Sequence, residues 1–189
     1  MPQKKQPTWS DIKRKLAEID RPGLLGLVQD LFHASADNRA FLASRFLAAE
    51  DGGAALEEMR EKIITQFFPK RGVGDPNLRE ARKVISLYRR SRGDARGLSE
   101  LMLTYVEAGT RFTNTYGDID EAFYNSLSSV LADLMKLLKT PEGMAEYSNF
   151  APRLSHLASN ARDVGWGYGD EVVEEIQMLE EHITNHSDD

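Results

Sequence analysis

Apolar residues recur every three or four positions along almost the whole chain. This spacing places them on one face of an α-helix. It is clear at Ile12, Leu16 and Ile19, and again from Leu78 to Tyr88. Alternating β-branched and polar residues, which are typical of strands, are nearly absent, and no Asn-Gly or Asp-Gly turn separates two such runs. The pattern therefore predicts an all-α fold.

Capping residues, prolines and glycines divide this pattern into about nine helices. The predicted helix starts are Thr8 or Ser10, Pro22, Asp37, Ala54, Asp75-Pro76, Asp94, Asp118 or Asp120, Ala151 and Asp170. The loops are short, so we expect one compact multi-helix domain over residues 1–189 in which neighbouring helices pack as antiparallel hairpins. The ends, 1–8 and 184–189, are expected to be flexible. The second helix is expected to bury Leu24, Leu27, Val28, Leu31 and Phe32.

Composition limits the number of domains, the kinds of site and the cellular location that we expect. The chain has 189 residues, a length that fits one domain. It contains no cysteine, which excludes disulfides, thiolate metal sites and cysteine nucleophiles. No secretory signal is visible at the start, and no apolar run approaches the roughly 18 residues that a membrane span requires. These features predict a cytoplasmic protein that does not contact a membrane.

Charge is distributed unevenly along the sequence. The net charge is −6. Residues 1–69 are balanced, residues 70–96 hold nine basic groups against three acidic ones, and residues 97–189 hold five basic groups against seventeen acidic ones. A basic segment therefore precedes a strongly acidic one, and both have to be considered in any account of binding.

The basic segment contains a predicted helix at 76–92. Its inward stripe is Leu78, Ala81, Ile85 and Tyr88, with Val84 beside it. Spacings of four and seven place its cations on outward faces. Together with two cations of the preceding loop they form a candidate surface for binding a polyanion or a protein partner: Lys70, Arg71, Arg79, Arg82, Lys83, Arg89 and Arg90.

Two interpretations of this surface remain open. The acidic groups after Gly97 can pair with it, in the same chain or in a second copy, so a homo-oligomer or an acidic protein partner is expected. Arginine can also make bidentate hydrogen bonds to phosphate, so RNA or DNA remains an alternative partner. No aromatic residue lies on the basic face to stack on bases, since Tyr88 belongs to the apolar stripe, and nucleic acid is therefore less favoured.

Other candidate sites are weaker. Asp118, Asp120 and Glu121 form a carboxylate cluster of the kind that holds Mg²⁺ or Ca²⁺, but a helix start favours acids without any metal. His182 and His186 have the spacing of two ligands on one helical face, with no third ligand indicated. The glycine-containing loops RGVGDP and GWGYGDE lack the pattern of a nucleotide loop. No catalytic residue and no cofactor are predicted.

Three segments together resemble a known family. They are PKRG (69–72), GDIDEAFYNSL (117–127) and GWGYGDE (165–171), and they follow the opening pattern TWSDIKRKLAEI and LLGLVQDLF. In this order they resemble a family of uncharacterised bacterial proteins known only as a domain of unknown function, over about Trp9 to His182. The resemblance implies a helical domain without assigned catalysis, and it supplies no site residue.

The sequence therefore predicts a non-enzymatic helical interaction or scaffold protein with a basic surface helix. An RNA- or DNA-binding module that uses the same helix is the alternative. A metal-dependent hydrolase around Asp118, Asp120 and Glu121 is the third hypothesis.

Overall fold

Every regular element in the described part of the chain is an α-helix. The computed structural model describes residues 7–46, 53–69 and 75–186. These ranges contain α1 (Trp9–Leu16), α2 (Arg21–Ala34), α3 (Ala36–Phe46), α4 (Ala54–Phe67), α5 (Leu78–Ser91), α6 (Ala95–Tyr116), α7 (Glu121–Leu138), α8 (Pro141–Ala161) and α9 (Tyr168–His186). The predicted all-α fold is confirmed.

Helix α6 lies at the centre of the fold. It packs against α4, α5, α7 and α8, while α9 packs on α7 and α8. Fourteen of its residues are buried, and Leu101, Leu103 and Tyr105 are completely inaccessible to solvent. Gly109 permits close approach of α7, because a Cβ atom there would lie 2.3 Å from a methyl group of Leu127. The four helices that contact α6 are therefore arranged around it.

Several predicted helix starts are confirmed by their hydrogen bonds. Asp94 accepts a hydrogen bond from the backbone N–H of Gly97 at 2.9 Å, and Asp120 accepts one from that of Phe123 at 2.8 Å. Thr8 caps α1 in a capping box with Asp11. In each case a side-chain oxygen satisfies an N–H group that has no partner within the helix.

Other predicted boundaries are wrong by one or two residues. Ser35 rather than Asp37 precedes α3, and its hydroxyl accepts the N–H of Asn38 at 3.0 Å. Helix α5 begins at Leu78, because the side chain of Asn77 provides the cap and the predicted Asp75-Pro76 start lies outside the helix. Helix α9 begins at Tyr168, two residues before the predicted Asp170.

Helix α8 and the chain ends also differ from the prediction. A helix was expected only from Ala151, but one helix spans Pro141–Ala161 and contains Pro152. The packing of α8 on α6 and α9 keeps it continuous although Pro152 cannot donate a backbone hydrogen bond. Helix α9 continues to His186, so residues 184–186 are helical, whereas residues 1–6 and 187–189 lie outside the described ranges.

The expected burial of the second helix is wrong. Leu24, Leu27, Val28, Leu31 and Phe32 are all exposed, at 37% to 49% of their full area. Helix α2 packs on α3 but on no other helix extensively, and neither α1 nor α2 contains a buried residue. Within the described ranges, no helix is both long and apolar enough to cross a membrane.

Candidate partner-binding groove

A groove of about 600 Å³ lies between α5 and α7, with α6 at its base. Residues of α5 form one wall and residues of α7 form the other, and the side chain of Met102 on α6 contributes to the floor. The residues that line this α5–α7 groove are Leu78, Arg79, Arg82, Lys83, Ile85, Ser86, Arg89, Met102, Ala122, Ser126, Val130 and Asp133. The cationic side chains therefore lie along one wall, that of α5, beside an apolar base.

The apolar stripe of α5 fixes which way its cations point. Ala81, Ile85 and Tyr88 are buried, as predicted, and Leu78 and Val84 are packed at the edge of the core. Since these residues face inward, the intervening arginines and lysine lie on the outer and lateral faces of the helix. Burial of the stripe thus holds a row of cations beside α7.

Arg82 reaches across the groove to α7 and meets only neutral partners there. Its guanidinium donates to the carbonyl and the hydroxyl of Ser126 and to the hydroxyl of Ser129, each at 3.3 Å. The hydroxyl of Ser126 is hydrogen-bonded in turn to that of Tyr105 at 2.7 Å. Burial raises the pKa of Tyr105, although its bond to Ser126 and the charge of Arg82 act in the opposite direction, so the phenol stays neutral. These hydrogen bonds fix the position of the Arg82 guanidinium, but its serine partners are neutral and leave its charge in place.

The other cations of the groove are weakly paired. Arg89 lies 3.8 Å from the carboxylate of Asp133, and both side chains are about half exposed, so the pair is worth at most about 1 kcal/mol. Lys83 pairs with Glu80 one turn earlier on the same helix at 2.6 Å. Arg79 is exposed and makes no ion pair with any described residue. The groove therefore has four cationic side chains and one acidic side chain along its lining.

The pairing of the basic helix with the acidic half of the chain is limited to one contact. Of the acidic groups after Gly97 that the structure describes, only Asp133 pairs with a cation of α5. The most acidic helix, α9, packs on α7 and α8 and contributes nothing to the lining of the groove. The surface of α5 is consequently available to an external acidic group.

The predicted site residues do not all lie together. The structure brings Arg79, Arg82, Lys83 and Arg89 to the groove, whereas Arg90 does not line it and donates to the carbonyl of Ser86 at 3.3 Å. Lys70 and Arg71 lie outside the described residues. Sequence reasoning did not find the α7 wall, although Ala122, Ser126, Val130 and Asp133 share one helical face by their spacing. Nothing local in the sequence indicates that this face lies opposite α5.

A second cavity, of about 450 Å³, lies between α4, α6 and α8, and ion pairs occupy the charges along one part of it. Arg60 at its edge binds Glu57 and Glu100, at 2.6 and 2.7 Å. Arg153 binds Glu107 and Glu100, also at 2.6 and 2.7 Å. Burial by itself would lower the pKa of Arg153, but the hydrogen bonds that it donates to these two carboxylates, together with their negative charge, raise the pKa above its ordinary value. This network joins three helices, whereas Arg111 in the lining of the same cavity contacts the ring of Phe68 and no described carboxylate.

The acidic cluster after α6 takes part in structural hydrogen bonds. Asp118 accepts a hydrogen bond from the hydroxyl of Tyr124 at 3.0 Å, and Asp120 caps α7. The ring of Trp166, from the GWGYGDE loop, stacks on Tyr124. Glu121 lies in the first turn of α7, where an acidic side chain is favoured by the helix dipole. Two of the three predicted carboxylates therefore have structural partners.

The histidine pair near the end of α9 is formed as its spacing indicates. The rings of His182 and His186 stack with their centroids 4.2 Å apart. Among the described residues, no group of three or more histidine or acidic side chains is arranged to hold a metal ion. Among the described residues, the α5–α7 groove is the cavity that has four cations in its lining.

Comparison with known proteins does not indicate what the groove binds. The chain matches no family model, no curated protein and no solved structure.

Proposed function

We propose that the protein is a non-enzymatic interaction protein whose α5–α7 groove binds an acidic, amphipathic segment of a partner protein. The observation that carries the proposal is the combination of four cations at the rim with Ile85, Met102 and Val130 at the base. An amphipathic helix binds in a groove by placing apolar side chains on its floor. Acidic groups flanking those side chains would meet Arg79, Arg82 and Arg89.

The positions of the arginines favour a specific contact over diffuse attraction. Arg82 is held by neutral serine hydroxyls and Arg89 by a long contact to Asp133, so an incoming carboxylate displaces no strong ion pair. Arginine presents donors in a planar fork that matches a carboxylate. Lys83 is exposed beside them, and its charge is partly offset by Glu80 on the same helix.

An acidic protein segment fits this groove better than a nucleic acid. No aromatic ring is among the described side chains that line the groove, so bases would find no stacking platform. An apolar base under the cations is of little use to a phosphate backbone, whereas it suits leucine or phenylalanine side chains. The cations alone, however, would attract phosphates, and RNA is therefore included in the test.

The test is selection from a displayed library of random 16-residue peptides. Wild-type protein is the bait, and the Arg79→Ala/Lys83→Ala/Arg89→Ala variant is used for counter-selection. All three side chains are exposed, so the variant is expected to fold normally. We expect the enriched peptides to combine Asp or Glu with apolar residues spaced three or four apart. Their affinity for the variant should fall about 10- to 50-fold, because each near-surface cation is worth up to about 1 kcal/mol.

A second triple variant, Lys13→Ala/Lys136→Ala/Arg162→Ala, is the matched control, because it removes the same charge from exposed positions outside the groove. It should bind the selected peptides like wild type. Enrichment without an acidic bias, or equal affinities for both triple variants, would contradict the proposal. Binding of single-stranded RNA that is lost in the groove variant and falls steeply between about 50 and 200 mM salt, with no peptide enriched, would favour the nucleic-acid alternative.

A further inference from the structure

The amino-terminal helices carry an apolar surface that the rest of the described chain does not cover. Of the thirteen large hydrophobic side chains that are exposed in the described ranges, nine lie between residues 9 and 32. We call them the α1–α2 face: Trp9, Ile12, Ile19, Leu24, Leu25, Leu27, Val28, Leu31 and Phe32. Single exposed apolar residues are common on proteins, but such a concentration marks a contact surface.

The residues of the α1–α2 face follow helical spacing and are not scattered. On α1, Trp9 and Ile12 lie three apart and form one stripe. On α2, Leu24, Val28 and Leu31 form another, with Leu25 beside it. Helix α3 packs against α2, yet Leu25 remains 62% exposed and Leu31 49% exposed. An amphipathic helix gains stability by burying this face, and here the face has no partner within the described fold.

The size of the face matches one side of a specific protein interface. Nine side chains that each leave roughly 60 to 170 Å² in water expose on the order of 800 Å² together. That is about the area that each partner contributes to a standard interface.

The charges around the face are balanced. Residues 9–34 contain four acidic groups, Asp11, Glu18, Asp20 and Asp30, and four basic groups. Some of them pair locally, as in the 3.2 Å contact between Lys15 and Glu18. A strongly charged partner would not be selected by such a surface, and neither would an anionic lipid surface, which attracts basic amphipathic helices. Two identical copies, in contrast, would meet without net repulsion.

We propose that the α1–α2 face is the interface of a homodimer in which a second copy of this chain places the same face against it. Such an interface is isologous, so each apolar stripe contacts a stripe of the partner. The exposed apolar side chains of α2 and of α1 would be buried together in such a dimer. This dimer differs from a pairing of the basic and acidic segments, because apolar burial and not charge drives it.

The experiment is sedimentation velocity on the full-length protein over about 0.5 to 200 μM. We expect a monomer–dimer equilibrium that persists in 1 M NaCl, since salt at this concentration screens charges beyond about 3 Å and does not weaken apolar contacts. Leu25→Glu/Leu31→Glu should raise the dissociation constant at least about 100-fold. In the dimer, each substitution places two negative charges in the interface, one from each copy. Both leucines are exposed, so the monomer should keep its fold.

Met178→Glu is the matched control, because Met178 is an exposed apolar residue on α9, far along the chain from the face. It should dimerise like wild type. A wild-type monomer at every concentration, a dimer that dissociates in 1 M NaCl, or equal dimerisation of the two glutamate variants would overturn the proposal. Flotation of a monomeric wild type with anionic phospholipid vesicles, lost in Leu25→Glu/Leu31→Glu, would overturn it in favour of a lipid surface.

Tryptophan fluorescence gives a reading that does not depend on the glutamate variants. In a Trp166→Phe background Trp9 is the remaining tryptophan. Trp9 is 68% exposed in the single chain, so its emission should shift to shorter wavelength as the concentration rises and the face is buried. An emission maximum that stays constant across the range in which sedimentation shows dimers would place the interface elsewhere and overturn the proposal.

Discussion

Removal of Arg153 is expected to destabilise the fold more than removal of any exposed cation. Its side chain on α8 binds Glu100 and Glu107 of α6 through contacts of 2.6 to 3.0 Å. Arg153 and Glu107 are 31% exposed and Glu100 is 18% exposed. Arg153→Met keeps the apolar stem and leaves two carboxylates that have lost a partner between packed helices.

The magnitude follows from this intermediate burial. Breaking a fully buried ion pair costs about 3–5 kcal/mol, and breaking an exposed pair costs at most about 1 kcal/mol. We therefore expect Arg153→Met to lower the free energy of unfolding by about 2–3 kcal/mol. In a urea titration followed by circular dichroism, the midpoint should fall by about 1 M at unchanged slope.

Two further variants test the reasoning. Arg162→Met, at the exposed end of the same helix, should change stability by less than about 0.5 kcal/mol. Arg153→Met combined with Glu107→Gln should cost less than the sum of the two single changes, by about 1–2 kcal/mol, because the stranded charge is also removed. Strict additivity, or a loss in Arg153→Met no larger than in Arg162→Met, would refute the assigned role of the network.

Four other substitutions have expected effects on stability that urea titration can measure. Gly143→Ala should cost more than about 2 kcal/mol, because its Cβ would lie 2.0 Å from a backbone carbonyl oxygen, whereas Gly26→Ala, with nothing within 4 Å, should stabilise α2 by about 0.5–1 kcal/mol. Ser99→Ala should stabilise the protein by about 1 kcal/mol, since the hydroxyl of Ser99 is buried without a hydrogen-bond partner among the described residues. Burial raises the pKa of Asp94, but hydrogen bonds, including one from Tyr88, and a neighbouring guanidinium outweigh it and hold the pKa below its ordinary 3.8. The stabilisation by Asp94 is therefore present above pH 3.8 and is lost as the pH falls through the lowered pKa. At pH 7 we expect Asp94→Asn to lower the free energy of unfolding by about 1 kcal/mol, and this difference from wild type should vanish in acid.

The features that depend on local periodicity could be predicted from the sequence. The stripe of α5 was predicted correctly because Ala81, Ile85 and Tyr88 are related by helical geometry alone. The start of α6 was predicted correctly because Asp94 satisfies backbone groups only three residues away. The continuity of α8 through Pro152 was not predicted, because packing on α6 and α9 overrides the local preference of proline.

The features that depend on a partner distant in sequence could not be predicted. The amphipathic pattern indicates that Leu25 and Leu31 belong to an apolar face. It does not indicate whether the surface that buries this face comes from the same chain or from another one. Arg82 likewise has an outward position that the spacing predicts, whereas its contacts with Ser126 and Ser129 depend on how α7 is placed beside α5. The acidic composition of the C-terminal half indicated ion pairs with α5. Of those acids that the structure describes, however, only Asp133 pairs with a cation of α5.

The two proposed surfaces are compatible because they share no residue. No side chain of α1 or α2 lines the α5–α7 groove, and α3 lies between them, since it packs on α2 and on α5. Two copies could not associate favourably through their grooves, because each groove lining carries four cations against one acid. Association through the charge-balanced α1–α2 face avoids this repulsion and leaves both grooves open. The dimer would then present two cationic grooves, and a partner with two acidic segments would bind far more tightly than one with a single segment, without any additional kind of contact.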